Sequence, residues 1–558
     1  MIKKLFAIPF LLLTIYIGAN SQPITLKTWQ VYEIAFKASN TFENPYLECV
    51  KSEGDPYAIA RFRNASGSAT GKIYEVPAFW DGGNTWKFRF APPQSGTWEY
   101  ETLSSDRGLN KKKGKIQVSD WTDEELKMNA TRRGFIYVNQ SPSRAGRYLV
   151  YADGTPCLWI SDTWWDWTNR RITSESFRNL VDTRAEQGFN IGQLFFPGNG
   201  WGRESSMLDP TYTILDLEHI RKIENLIQYA NSKGITVWIH AWWSRKDIVR
   251  TIGEEKMRRW WKYVVDRLHA YNVIWVLAGE FNMNNYGGFP LQFWNNLGQM
   301  IKDEDPYDRI IGVHPTPPTW GAGMEAPQWS TATTIHEQSW LDYNQSQCGH
   351  HLWSNEFIPW IIREAYEKQP AKPIVVTEAW YEFIEGNPSA KDIRFGAWSA
   401  FFSGAAGHTY GGGHIWIGHT PENPKRGGSW PLDTSFRVNT CFYPGAVSMS
   451  FMSKYLNAMK WWELEPHPEL IMESPSPYCA ANPGKEYLVY MRYGGSFKLD
   501  FTSMSENDKF NYEWVDLVNS KVARTGTVSG GKVIQLKCRE DYPGYLEHKD
   551  WLVRIYKD

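Results

Sequence analysis

Val273-Ile-Trp-Val-Leu-Ala-Gly-Glu-Phe-Asn282 reads as a short apolar strand, Val273 to Ala278, that stops on a glycine and a carboxylate. Before it, Glu254 to His269 repeats apolar residues at helical spacing, and Val237 to His240 is another apolar strand. Strands apolar on both faces, separated by an amphipathic helix, form one unit of a buried parallel sheet. The rhythm extends both ways. Strands are predicted at Leu158 to Asp162, Ile191 to Phe196, Ile310 to His314, Thr333 to His336, Ile374 to Thr377 and His408 to Gly411, with helices such as Leu217 to Ser232 and Phe357 to Lys368. A last helix, Ala446 to Met459, opens near Pro444, where a missing N–H costs nothing. Eight strand-helix units in roughly 300 residues predict an α/β fold of the (β/α)8 TIM-barrel type, residues 120–462; a doubly wound open sheet satisfies the same pattern.

On either side the pattern changes to short aromatic and β-branched runs broken by turns. Val31 to Phe36, Tyr57 to Phe62, Trp86 to Phe90 and Gly96 to Tyr100 predict an N-terminal β-sandwich over residues 22–119. Tyr487 to Arg492, Phe497 to Phe501, Tyr512 to Asp516 and Trp551 to Tyr556 predict a small antiparallel C-terminal β-sandwich over 463–558. Residues 1–21 read as a signal peptide: Lys3 and Lys4, an apolar run from Leu5 to Ile17, then Ala19-Asn20-Ser21. No Cys follows that site, so the expectation is a secreted or periplasmic protein without a lipid anchor or a membrane span after cleavage.

The chain has 558 residues, 60 Lys+Arg against 61 Asp+Glu, and 30 Trp. A net charge of −1 offers no basic footprint for nucleic acid. The six cysteines lack metal spacing and read as buried thiols, Cys479 with Cys538 being the pair to test for a bridge. His240, His314, His336 and His414 carry no His-x-His or His-Glu-x-x-His spacing, so neither metal nor cofactor is expected. The oligomeric state is not encoded in any pattern.

In a barrel, chemistry sits where strands end. The residues there are Asp162-Thr-Trp164-Trp165, His240-Ala-Trp242-Trp243, Glu280-Phe-Asn282, His314, His336-Glu337, Glu378-Ala-Trp380-Tyr381, and His414. Cleaving a glycosidic bond takes one carboxyl to protonate the leaving oxygen and another to attack or stabilise the sugar cation. Glu280 and Glu378, on opposing strands, are the candidate pair, and Glu337 competes for either role. Asp162, Trp164, Trp165, His240, Trp242, Asn282, His314, His336, Trp380 and Tyr381 are candidates to bind sugar, indoles serving as platforms for C–H faces. Gly279 is expected to admit substrate close to the backbone. Gly411-Gly412-Gly413 is expected to need unusual backbone angles. A carbohydrate-binding barrel without catalysis and a polysaccharide lyase are the alternatives.

Arg133-Gly-Phe135, Tyr151-Ala-Asp-Gly-Thr-Pro156 and Leu158-Trp-Ile-Ser-Asp-Thr-Trp-Trp165, with Val273 to Glu280 and Pro373-Ile-Val-Val-Thr-Glu378, resemble the apiosidase-like (β/α)8 glycoside hydrolases, family 140 and its relatives. The flanking regions resemble a β domain found before such barrels and a C-terminal module named for collagen binding in related proteins. The resemblance implies a retaining arrangement with the acid/base at Glu280 and the nucleophile at Glu378, acting on a plant or algal polysaccharide or its oligosaccharides. One departure stands out: the family commonly carries Asp after Gly-Gly, whereas Glu280 follows Ala278-Gly279. The extra C–C bond moves the carboxyl by about 1.5 Å.

Overall fold

The computed structural model describes residues 24–66, 71–198, 204–243, 252–317, 329–351, 354–384, 387–420, 440–474, 478–538 and 549–557. The apolar leader lies outside the described residues. Eight parallel strands follow one another: β1 (Trp159–Trp164), β2 (Ile191–Phe195), β3 (Thr236–His240), β4 (Val273–Val276), β5 (Ile311–Gly312), β6 (Asn344–Gln347), β7 (Ile374–Glu378) and β8 (Gly407–Tyr410). Their order in the sheet is β5-β4-β3-β2-β1-β8-β7-β6. Among the described residues no ladder joins β5 to β6, but Asp342 spans that seam. Its N–H donates to the Ile311 carbonyl, and its Oδ2 accepts from the Ile311 N–H at 2.8 Å. The sheet therefore curls into a nearly closed barrel, and the doubly wound open sheet is excluded.

The sixth strand corrects the sequence reading. Thr331–Thr333 is a 3-10 turn, and the strand is the polar run Asn344-Gln-Ser-Gln347. All four residues are buried, a placement that hydrophobicity does not signal. Hydrogen bonds offset the cost of removing these amides from water: Gln345 donates to the Tyr343 hydroxyl, and Asn344 accepts from Thr331 and donates to the His336 ring.

Strand alternation decides which side chains enter the barrel. Along β1, Trp159 and the following Trp165 join the interior cluster with Trp238, Ile274 and Val375. Ile160 and Trp164 point the other way, into the helices. A hairpin of Ile136–Val138 and Leu149–Tyr151 adds Ile136, Leu149 and Tyr151 to the interior cluster.

In the N-terminal region the strand Ile73–Trp80 pairs with Ala58–Asn64 through its first half and with Thr85–Phe90 through its second, so one strand serves two faces of the sandwich. This domain is locked to the barrel by buried ions. Arg89 bonds Glu33 in its own sheet and Glu224 on the helix Leu217–Ser232. Arg267 on the helix Glu254–Leu268 bonds Glu224 at 2.8 Å and Asp81 of the sandwich at 3.0 Å. At the other end, Arg394 holds Asp550 of the C-terminal sheets through two bonds of 2.7 Å. All six cysteines, Cys479 and Cys538 included, carry free thiols.

Candidate active site

Glu378 is the last residue of β7, and a bulge aims it. Ser346 pairs with Val376, but the next residue, Gln347, pairs with Glu378, leaving Thr377 extra. Two consecutive side chains thus reach one imidazole: Thr377 Oγ1 lies 3.0 Å from His314 Nδ1, and Glu378 Oε2 lies 2.8 Å from His314 Nε2. An ionised carboxylate only accepts, so Nε2 carries the proton. On Oε1, Glu378 accepts from His350 Nε2 at 2.9 Å and from the Tyr381 hydroxyl at 2.5 Å, and that hydroxyl accepts from Trp165 Nε1 at 2.7 Å. Burial pushes the Glu378 carboxyl up, but the hydrogen bonds and charge of His314 and His350 outweigh it and hold the group at about 2.

Glu280 follows β4 in a left-handed backbone, φ +45°. A residue without glycine's freedom is costly there and persists where the surroundings impose it. The imposition is visible: Phe281 N–H bonds the His314 carbonyl, Gly279 N–H bonds the Trp242 carbonyl, and Met283 N–H turns back to the Glu280 carbonyl. The side chain accepts from Trp243 Nε1 at 2.9 Å and Gln347 Nε2 at 3.2 Å. Both donors are neutral. Burial, then the nearby Glu378 charge, raises the Glu280 carboxyl well above its ordinary range, and the Trp243 bond offsets this only in part. Gln347 couples the pair, touching Glu280 with its amide while lying in register with Glu378.

The remaining interior residues form an aromatic floor. The His240 ring stacks on Trp165 at 5.2 Å and meets Phe195 and Trp243 edge-on. Burial keeps that imidazole neutral, and neither ring nitrogen has a partner among the described residues. Trp380 is buried in the interior cluster with Trp165, Tyr381 and Trp416.

Several sequence candidates stand elsewhere. Asp162 and Trp164 fall on the outer face of β1, where Asp162 pairs with Arg184 at 2.6 Å and accepts from Trp164 Nε1. An even offset from Trp165 was needed to face the barrel. Trp242 also packs outward, its ring filling the space beside Gly198; it stands two residues beyond the inward-facing His240, so the alternation of β3 does not continue past the strand's end. Asn282 spends its Oδ1 on the Thr316 N–H at 2.7 Å, tying the loop after β4 to that after β5. His336 lies at the N-terminal end of the barrel, held by Pro370 and Asn344, and Glu337 beside it is solvent-exposed; with the sixth strand reassigned, neither reaches the rim. His414 accepts from or donates to the Tyr443 hydroxyl at 2.6 Å.

Two glycine readings also change. A Cβ on Gly279 would sit 2.3 Å from Trp243, so this glycine admits the indole that bonds Glu280. Gly411, Gly412 and Gly413 all lack a positive φ; Gly411 instead makes room for the Tyr381 ring, 2.0 Å from where a Cβ would stand. Sequence reasoning missed His350 and Gln347, because both hang on the polar strand β6. Trp243 was visible only as one of two adjacent indoles, and the break in alternation after β3, where Trp243 bridges to Gly279, chose between them. Among the described residues no group of three or more His, Cys, Asp or Glu could hold a metal.

Comparison with known proteins is consistent with this geometry. A family model described as "Apiosidase-like, catalytic domain" matches residues 143–463, more than half of the chain, and the domain of unknown function DUF5060 matches residues 25–105. No curated protein matches. A glycoside hydrolase family 5 protein of Bacteroides vulgatus ATCC 8482 superposes with a TM-score of 0.65 at 20% identity, over 77% of this chain and 95% of its own. A candidate glycoside hydrolase from the same organism superposes with a TM-score of 0.68 at 18% identity, over 96% of this chain and 100% of its own. At such identities the structural likeness speaks to fold alone.

Proposed function

From the premise that this chain belongs to the apiosidase-like catalytic-domain family and is a glycoside hydrolase, we propose that it is exported and cleaves a plant or algal polysaccharide, or its oligosaccharides, by a retaining mechanism. Glu280 acts as general acid and then base, and Glu378 as nucleophile. The observation that carries this reading is the divergence of two neighbouring buried carboxyls, one raised and one lowered. Such a split assigns acid and base at one pH.

In the first step the protonated Glu280 gives its proton to the leaving glycosidic oxygen while Glu378 attacks the anomeric carbon, forming a glycosyl ester. Glu378 Oε1 is held by two donors and Oε2 by one, so Oε2 is the freer oxygen to attack. In the second step Glu280, now ionised, takes a proton from water as the water oxygen attacks the anomeric carbon and the ester bond to Glu378 breaks, which releases the sugar with its original configuration and restores both carboxyls. The neutral donors around Glu280 suit both forms, because neither demands a permanent negative charge. Retention requires carboxyl groups about 5–5.5 Å apart, inversion about 6.5–9.5 Å.

The test is a screen of the purified protein against polysaccharide digests, followed by Glu378→Ala on the substrate found. The variant is expected to lose turnover and to regain part of it with azide, releasing a glycosyl azide. Near wild-type turnover by Glu378→Ala overturns the assignment. Oligosaccharide binding without product over long incubation points instead to a barrel that only binds.

A further inference from the structure

Among the described residues the twelve bulkiest fully buried side chains are all tryptophans. Against that background Trp360 is an exception: it is 51% exposed, the only tryptophan in the exposed class among the described residues. It sits in the first turn of the helix Ile358–Glu367 that follows β6, at the end of the barrel where Glu280 and Glu378 emerge. Phe357, three residues earlier, shares its face of the helical turn. Trp329, from the chain leading into β6, stacks on Phe357 with ring centres 5.9 Å apart and meets Trp360 edge-on at 5.0 Å. Three aromatic rings thus make a shelf whose outer member keeps half its surface in water.

The shelf is wired directly to the site. The Trp329 carbonyl accepts the Gln347 N–H at 2.9 Å, and the Gln347 side chain donates to Glu280. One residue therefore separates the shelf's backbone from the candidate acid. The shelf is also held in place from outside: Glu356, next to Phe357, takes a two-pronged bond from Arg492 of the C-terminal sheets, at 2.8 and 2.5 Å. A flat apolar face bordered by fixed charged groups matches a sugar ring, which presents C–H bonds on its faces and hydroxyls at its edge.

We infer that Trp360, backed by Trp329 and Phe357, forms an outer subsite that stacks a sugar ring remote from the scissile bond, so that the substrate is an extended glycan chain rather than a monosaccharide linked to a small aglycone. The inference rests on the hydrolase reading for its substrate, and two measurements separate the two. In the first, kcat and KM of wild type, Trp360→Ala, Trp360→Phe and the surface control Met472→Ala are compared on oligosaccharides of increasing length. The expected loss for Trp360→Ala is roughly tenfold or more in kcat/KM on the longest substrates, carried by KM and shrinking as the chain shortens, with Trp360→Phe recovering most of it. In the second, electrophoresis through gels containing soluble pectin, arabinoxylan or galactomannan should retard the wild type and release Trp360→Ala. A Trp360-dependent retardation in a protein that hydrolyses no glycan leaves the subsite standing and removes the hydrolase reading. A loss that is the same at every chain length, or retardation unaltered or absent for both proteins in all three gels, overturns the subsite.

Discussion

Two regions of this protein bury carboxylates, and they treat them in opposite ways. At the seam between the N-terminal sandwich and the barrel, Glu33, Asp81 and Glu224 meet Arg89, Arg267 and Lys87, cation against anion at every contact. At the barrel mouth, Glu280 and Glu378 meet each other, with indole, amide, imidazole and phenol groups as partners and no arginine or lysine among the bonds described. The seam's charges are mutually satisfied and so hold two domains in one register. The mouth leaves one carboxyl without a counter-charge, which costs stability and, under the mechanism proposed above, makes it the proton donor.

The contrast can be broken from either side. The largest effect is expected at the mouth: Glu378→Ala should cut kcat per folded molecule by about 10⁴-fold or more, roughly 5.5 kcal/mol of transition-state stabilisation. Steady-state kinetics beside a thermal melt would check it. At the seam, Arg267→Met leaves Glu224 and Asp81 short of a partner and should cost about 3–5 kcal/mol of stability, with kcat per folded molecule unchanged. Denaturant unfolding that shows no loss would mean the sandwich is not held by these ions.

Glu280 links the regions through pH. Its folded pKa is raised above the ordinary 4.5. The folded form thus holds its proton where the unfolded chain has lost it, and stability falls as pH climbs from about 4.5 through the folded value. Glu280→Gln removes that loss: its melting temperature should exceed the wild type's at pH 7, and the gain should vanish below pH 4.5. The asymmetric Glu378, held at about 2, contributes the opposite sign. Its contribution is present above the unfolded pKa and is lost only as pH falls toward 2. Activity should accordingly fall on the alkaline side as Glu280 ionises, and the acid limb should be displaced far down.

A smaller effect sharpens the comparison. Trp243→Phe deletes a bond that lowers the Glu280 pKa, so the alkaline limb should move to higher pH, with kcat changed by less than about tenfold. Glu337→Gln, at the exposed end away from the mouth, should leave the pH profile in place.

How much of this was legible depends on what each residue had to satisfy. Helices such as Leu217–Ser232 and strands such as Ile374–Glu378 announce themselves, because burying an apolar face imposes a period on the chain. The candidate pair was legible too, since a carboxylate that ends an apolar strand has few places to go. β6 was hidden. Its amides are buried by hydrogen bonds rather than by hydrophobicity, and losing it displaced His336 and Glu337 to the wrong end while concealing His350 and Gln347. Asp162 and Trp164 were misplaced by a single residue of strand parity, which reverses the face without altering composition, and Trp242 by the end of that alternation beyond β3.

The sequence alone determined the alternating strand-helix units and the two β flanks and marked the two acidic residues as candidates, because hydrophobic periodicity is a local property that the chain must carry in order to fold; closure of the sheet into a barrel was left to the tertiary structure. Only the tertiary structure decided that Gln347 and Trp243 reach Glu280, that His314, His350 and Tyr381 gather on Glu378, and hence which carboxyl keeps its proton. Those properties arise from desolvation and from donors delivered by distant strands, and no stretch of sequence contains them.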